Sequence, residues 1–262
     1  MAVDLAKLSL WLTTLAKDHP FTFLDHLIRC GDSLVGLTRR QIVGFDLNPP
    51  AQLGFVEKVV RDRMDAVAKQ RRTILDAGDN MPPGMKLAKL KLADESLWLV
   101  RMTGDSVVAS FFEGETSSAK KLLRERLFES LEQWIQRTDF NARQELQKAI
   151  TTLRQGTKTW QSISPFHWEI EYPEVFVGES HGFDAIVGNP PFLRGSRISS
   201  CNGALYLDWL LTVHQGSHGN GDLVAYFFSA VLYAHSCFRN AWANCNQLNW
   251  PGGHAADGTW LD

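Results

Sequence analysis

Leu5, Leu8, Leu12 and Leu15 recur at helical spacing and predict a helix that stops at His19-Pro20. Leu27 to Val35 reads as a short strand ending in a Gly31-Asp32 turn, and Asn48-Pro49-Pro50 breaks the chain. From about 51 to 158 the sequence becomes charged and helix-periodic. Val60, Met64, Val67 and Ile74 form one apolar stripe, with Lys58, Arg61, Arg71 and Arg72 expected outside it. Met81-Pro82-Pro83-Gly84 interrupts this region, and Leu123, Leu127, Leu131 and Trp134 form a second stripe. A β pattern then returns. His167 to Tyr172 alternates, Phe183 to Gly188 is an apolar strand-like run, and Asp222 to Phe228 opens a helix. Helices alternating with apolar strands predict an α/β fold whose sheet is interrupted by a long helical insertion.

Composition narrows the picture only slightly. A hydrophobic content of 44% and a charged content of 21% are ordinary for a soluble globular protein. The net charge of −2 gives no support to a nucleic-acid partner, since such proteins usually present a basic surface. The basic residues of the insertion are interleaved with acidic ones, which favours a solvated helix face over contact with phosphates. Cys30, Cys201, Cys237 and Cys245 form neither a CxxC pair nor a zinc-like grouping with histidine, so reduced thiols and no metal are expected. Lys7, Ser9 and Thr13 interrupt the first apolar stretch, so no signal peptide is read there, and a soluble cytoplasmic protein is expected.

The candidate chemistry lies at Asn189-Pro190-Pro191-Phe192, which closes the run from Phe183 to Gly188. An exocyclic amine of a nucleobase is a poor nucleophile because its lone pair is delocalised into the ring. A catalyst must accept hydrogen bonds from that amine and hold it in line with the group being transferred. The Asn189 side-chain oxygen and a rigid Pro190 carbonyl meet this need, because two prolines fix the backbone and remove competing N–H donors. Phe192 offers a stacking face to a base rotated out of the duplex. A plain turn is the competing reading, and Asn48-Pro49-Pro50 is such a case, followed by Ala51 rather than an aromatic.

These residues, in this order, resemble the large adenine-N6 DNA methyltransferases of bacterial restriction-modification and phage-defence systems. Met1 to Leu12 resembles the helix after their second cofactor strand, and Phe23 to His26 with Cys30 to Gly36 resembles the next cofactor motif. Phe166 to Phe176 resembles the lead-in to the catalytic strand, and Gly221 to Phe227 the helix after it. The resemblance runs from Met1 to about His235. It implies an incomplete Rossmann-like methyltransferase sheet, S-adenosyl-L-methionine as cofactor and a flipped adenine in double-stranded DNA as target. By the same resemblance Asp32, with Gly31, would receive the cofactor adenine, and Tyr226 and Phe227 would help wall the cofactor site. Asn189, Pro190, Pro191 and Phe192 would carry catalysis. A fused or separate nuclease and a specificity region are further partners of such systems.

Two departures qualify the resemblance. No glycine precedes Gly31, so the Gly-x-Gly loop that should receive the methionine end of the cofactor is missing, and an N-terminally truncated chain is expected. After about Ser236 the sequence stops reading like a domain. Read one nucleotide later, the single codon of Trp242, Trp250 and Trp260 becomes glycine each time, and the other positions permit the family's next strand and loop. A frameshift between Tyr233 and Cys237 is therefore expected, and coding DNA that forbids this reading would refute it. The expected division is 1–50 as part of the cofactor half, 51–158 as insertion, 159–235 as catalytic half, and 236–262 as a misread, poorly ordered tail. Such a fragment is expected to be inactive by itself. The alternatives are an active enzyme completed by a partner chain, a non-catalytic fragment, or a methyltransferase for protein glutamine, which uses the same Asn-Pro-Pro-aromatic chemistry.

Overall fold

The computed structural model describes residues 2–13, 28–50, 55–77, 80–176, 182–214 and 221–234. The stop at His19-Pro20 and the tail from 236 to 262 lie outside the described residues, as does Leu27. The chain divides into two compact units, Met1–Gly178 and Glu179–Asp262.

In the first unit, α1 (Ala2–Thr13) leaves Leu5, Leu8 and Leu12 exposed, and α2 (Arg39–Val43) is a short helix with a capping box from Thr38 and Gln41. The bulk of the unit is α3 (Phe55–Ala77), α4 (Pro83–Glu113), α5 (Ser117–Arg137) and α6 (Phe140–Gln155). Helix α4 is central and packs against the other three. Every residue from Met102 to Phe112 on it is buried, which is how a helix with apolar residues all round must sit. Its buried hydroxyls bond within the helix: Thr103 donates to the Leu99 carbonyl at 2.9 Å, and Ser106 to the Met102 carbonyl at 2.8 Å.

Sequence signals place the ends of these helices. Pro83 sits in the first turn of α4, where its missing N–H is of no consequence. The Thr116 hydroxyl accepts from the Ala119 N–H at 3.2 Å to start α5, and Asp139 accepts from Asn141 and Ala142 to start α6. The α3 stripe of Val60, Met64, Val67 and Ile74 is buried, as are Leu127 and Leu131 of α5.

Arg71 departs from the expectation. It is 2% exposed rather than solvated, because it stands four residues after Val67 on the buried side of α3. Its Nη1 donates to Glu174 Oε2 at 3.2 Å and to the Glu171 carbonyl. Nearby, Arg101 binds Glu171 through two bonds of 2.6 and 2.8 Å, and Arg29 lies 3.2 Å from Asp94. Burial opposes ionisation of Asp94, but Arg29 and Arg101 outweigh it and hold the carboxyl below its ordinary range.

Among the described residues no strand of the expected sheet forms. Asp32 and Pro165 make an isolated parallel bridge. Asp32 N–H donates to the Ser164 carbonyl at 2.7 Å, and Phe166 N–H donates to the Val35 carbonyl at 2.8 Å, three residues past the bridge. The ladder stops there because both segments turn. Val35 N–H returns to the Asp32 carbonyl at 3.0 Å, and Ile170 and Glu171 N–H both return to the His167 carbonyl at 2.9 Å. The alternating run His167–Tyr172 is therefore largely helix, α7 (Trp168–Glu171), followed by α8 (Pro173–Phe176). No described helix is long and apolar enough to cross a membrane.

The second unit holds α9 (Gly195–Asn202), α10 (Ala204–Val213) and α11 (Leu223–Ala234) around Ile198, Tyr206, Trp209, Leu210, Leu223 and Tyr226. The run expected as a strand before the Asn-Pro-Pro-Phe turn is irregular backbone from Ala185 to Arg194. Val187 is 99% exposed there, so the apolar run lacks the burial that makes a strand of such a sequence.

Candidate functional site

The sequence-predicted residues fall in both units. Gly31 and Asp32 belong to the first, while Asn189, Pro190, Pro191, Phe192, Tyr226 and Phe227 belong to the second.

In the first unit, Asp32 is half-buried, and its Oδ1 accepts from the Leu34 N–H at 3.0 Å, a side-chain turn that fixes the carboxylate on its loop. Gly31 is required by close approach: a Cβ there would come within 2.9 Å of the Phe166 ring and Cβ. Gly36 is tighter still, since its Cβ would fall 2.0 Å from the Phe166 carbonyl oxygen. Phe166 is thus the platform over which the loop is folded. Further contacts continue the pairing. Trp168 Nε1–H donates to the Ser33 carbonyl at 3.2 Å, Leu37 N–H to His167 Nδ1 at 2.9 Å, and Arg39 N–H to Glu169 Oε2 at 3.2 Å. A carboxylate held on a loop at residue 32 suits an acceptor for an exocyclic amine, which is the role expected of it.

In the second unit, Asn189 and Pro191 are exposed and Phe192 is 80% exposed. An exposed phenyl ring beside an exposed carboxamide can stack on a planar base and accept from its amine. The end of the motif is held firmly. Leu193 N–H donates to Asp222 Oδ1 at 3.1 Å, Asp222 Oδ1 also accepts from Val224 N–H at 3.1 Å, and Leu223 N–H donates to the Leu193 carbonyl at 2.9 Å. One carboxylate therefore caps α11 and anchors the motif beside it. Phe227 reaches the same place: a Cβ on Gly188 would lie 4.0 Å from its ring.

Tyr226 points elsewhere. It is 1% exposed and packs edge-on against His214 with ring centroids 5.8 Å apart. His214 Nδ1 lies 3.2 Å from the Ser229 hydroxyl, and burial pulls its pKa down to about 4. Of the aromatic pair on α11, Phe227 is the one beside the motif, and Tyr226 belongs to the core.

Asp222 and His167 carry much of this geometry, and the sequence reading gave neither a role. An aspartate one residue ahead of an apolar helical run is a capping signal, and Asp222 was legible on that ground. His167 had no such signal.

Comparison with curated proteins and with solved structures gives no match. The family model described as the Eco57I restriction-modification methylase matches residues 1–235 of the 262, so the chain belongs to that family and is a DNA methyltransferase of restriction-modification type.

Proposed function

We propose that the chain carries the target-amine site of an enzyme that methylates the N6 amine of an adenine in double-stranded DNA, with S-adenosyl-L-methionine as the methyl donor. The observation that carries this reading is the anchored, solvent-facing motif, Asn189 to Phe192, held by Asp222 and flanked by Phe227. Asn189 Oδ1 and the Pro190 carbonyl accept the two N–H bonds of the target amine, which localises the nitrogen lone pair and aims it. Phe192 stacks on the base once it leaves the duplex, replacing part of the stacking it lost, a contribution of about 1–3 kcal/mol. Asp32 accepts from the exocyclic amine of the cofactor adenine, and Gly31 gives the backbone room to turn beneath it. The cofactor, when bound, supplies an electrophilic methyl group on a sulfonium that is its own leaving group.

The test uses methyl-labelled cofactor and long unmethylated double-stranded DNA, with cofactor affinity measured in parallel. Asn189→Ala should abolish incorporation into DNA and leave cofactor affinity within about twofold. Asp32→Ala should weaken cofactor binding by about tenfold, the value of one lost hydrogen bond to a charged acceptor. Undiminished labelling by Asn189→Ala, or label on protein glutamine instead of DNA, overturns the reading.

A further inference from the structure

Buried histidine His167 stands at the junction of the loop that carries Asp32 and the helices of the insertion. Its side chain is 1% exposed. Nδ1 receives the Leu37 backbone N–H at 2.9 Å, and Nε2 lies 3.3 Å from Asp105 Oδ1 on α4. Asp105 is itself bound through Oδ2 to Arg154 of α6 at 2.8 Å. The backbone N–H of Leu37 can only donate, so Nδ1 must present its lone pair, and the ring proton must sit on Nε2 facing the Asp105 carboxylate. Asp105 with Arg154 therefore fixes both the orientation and the tautomer of the ring. The ring in turn fixes the backbone at Leu37, five residues after Asp32. Gly104 leaves the space this needs, since a Cβ there would lie 2.5 Å from His167 Nε2.

We propose that His167 is a positioning residue for the cofactor loop: locked by Asp105 and Arg154 with its proton on Nε2, it holds the segment from Gly31 to Leu37 in place through Nδ1. This rests on the reading of Asp32 as a cofactor ligand, and it gives the helical insertion a role in that site, since α4 and α6 supply the lock. The ring touches no reacting atom.

Two substitutions separate positioning from packing, because each keeps one half of the arrangement. In His167→Asn the carboxamide oxygen is as many bonds from Cα as Nδ1, so the acceptor for Leu37 is kept and the partner of Asp105 is lost. In His167→Gln the terminal amide matches Nε2, so Asp105 keeps a donor and Leu37 loses its acceptor. Hydrogen exchange of the full chain should show protection of the Leu37 amide reduced by about tenfold or more in His167→Gln and largely kept in His167→Asn. Cofactor affinity should fall in the same order. A side-chain nitrogen spectrum of the unsubstituted protein should show Nδ1 unprotonated, which checks the lock without any variant. Equal loss of protection in both variants, no loss in either, or a protonated Nδ1 overturns the proposal. Loosening of the loop in His167→Gln with unchanged cofactor affinity overturns its link to the cofactor. A loop that loosens as expected in a protein with no measurable cofactor affinity supports the positioning and instead sinks the reading of Asp32.

Discussion

Gly104 lies inside α4, where helix propensity and packing make opposite demands. Considered only as a helix position, Gly104→Ala should stabilise the protein by about 1 kcal/mol. The surroundings reverse the sign. The added methyl would sit 2.5 Å from Nε2, 2.9 Å from Cε1 and 3.0 Å from Cδ2 of His167, so the ring must move. It has no slack, because Leu37 holds one nitrogen and Asp105 faces the other, and the side chain is buried. Displacing it leaves a buried amide without an acceptor, at about 1–3 kcal/mol, and removes a bond to a carboxylate worth about 1.5–3 kcal/mol. After the gain in propensity, the net loss is about 1.5–5 kcal/mol. For a chain of this size that lowers the melting temperature by roughly 3–20 °C. Urea unfolding and thermal melting of Gly104→Ala against the unsubstituted protein measure it. A variant as stable as the parent, or more so, would show that the ring is not held and that helix propensity decides.

Three further outcomes follow from the same structure. Arg71→Ala should cost about 3–5 kcal/mol, because it strips a buried cation from Glu174 and the Glu171 carbonyl, whereas exposed Arg72→Ala should stay within about 1 kcal/mol. Urea midpoints compare the two, and equal effects would remove the distinction between the two positions. His214 is held at about pH 4, against 6.5 for the free side chain, so the unfolded state takes up its proton first as the pH falls. Its neutral form therefore stabilises the fold fully above pH 6.5, and that contribution is lost as the pH falls from 6.5 towards 4, up to about 3 kcal/mol. A His214→Gln protein should show a flatter stability profile over that window, and an unchanged slope would assign the titration elsewhere. Asp94 acts lower on the scale: with its carboxyl held below 3.8, its ion pairs stabilise the fold above that pH and are lost as the pH falls below it, so Asp94→Asn should weaken the acid limb of a pH–stability curve.

The helices were the legible part of this chain, for a clear reason. Val60, Met64, Val67 and Ile74 announce a buried face because helix geometry brings residues three and four apart onto one side, whatever packs against them. Arg71 falls on that same face and was misplaced because a charged residue was assumed to be solvated. Its burial depends on Glu171 and Glu174, 100 and 103 residues further along the chain. The β pattern was not legible in the same way. Alternation from His167 to Tyr172 presumes that polar side chains face water, yet His167 and Glu169 turn inward to receive the N–H groups of Leu37 and Arg39. A strand also needs a neighbour to pair with, and the apolar character of Phe183 to Gly188 specifies none. At the site, the motif from Asn189 to Phe192 could be read because its chemistry is contained in four adjacent residues. Its anchoring by Asp222 and the bracing of the Asp32 loop by His167 join residues 29 and 130 positions apart, relations that no local pattern records.

The central claim is that Asn189 directs methylation to the adenine N6 amine. Genomic DNA from cells carrying the gene at its natural locus, digested to nucleosides and resolved by mass spectrometry, tests it most directly, against the same locus encoding Asn189→Ala. The account predicts N6-methyladenine in the first and its disappearance in the second. Methylation found on cytosine, or N6-methyladenine unchanged by Asn189→Ala, would contradict it.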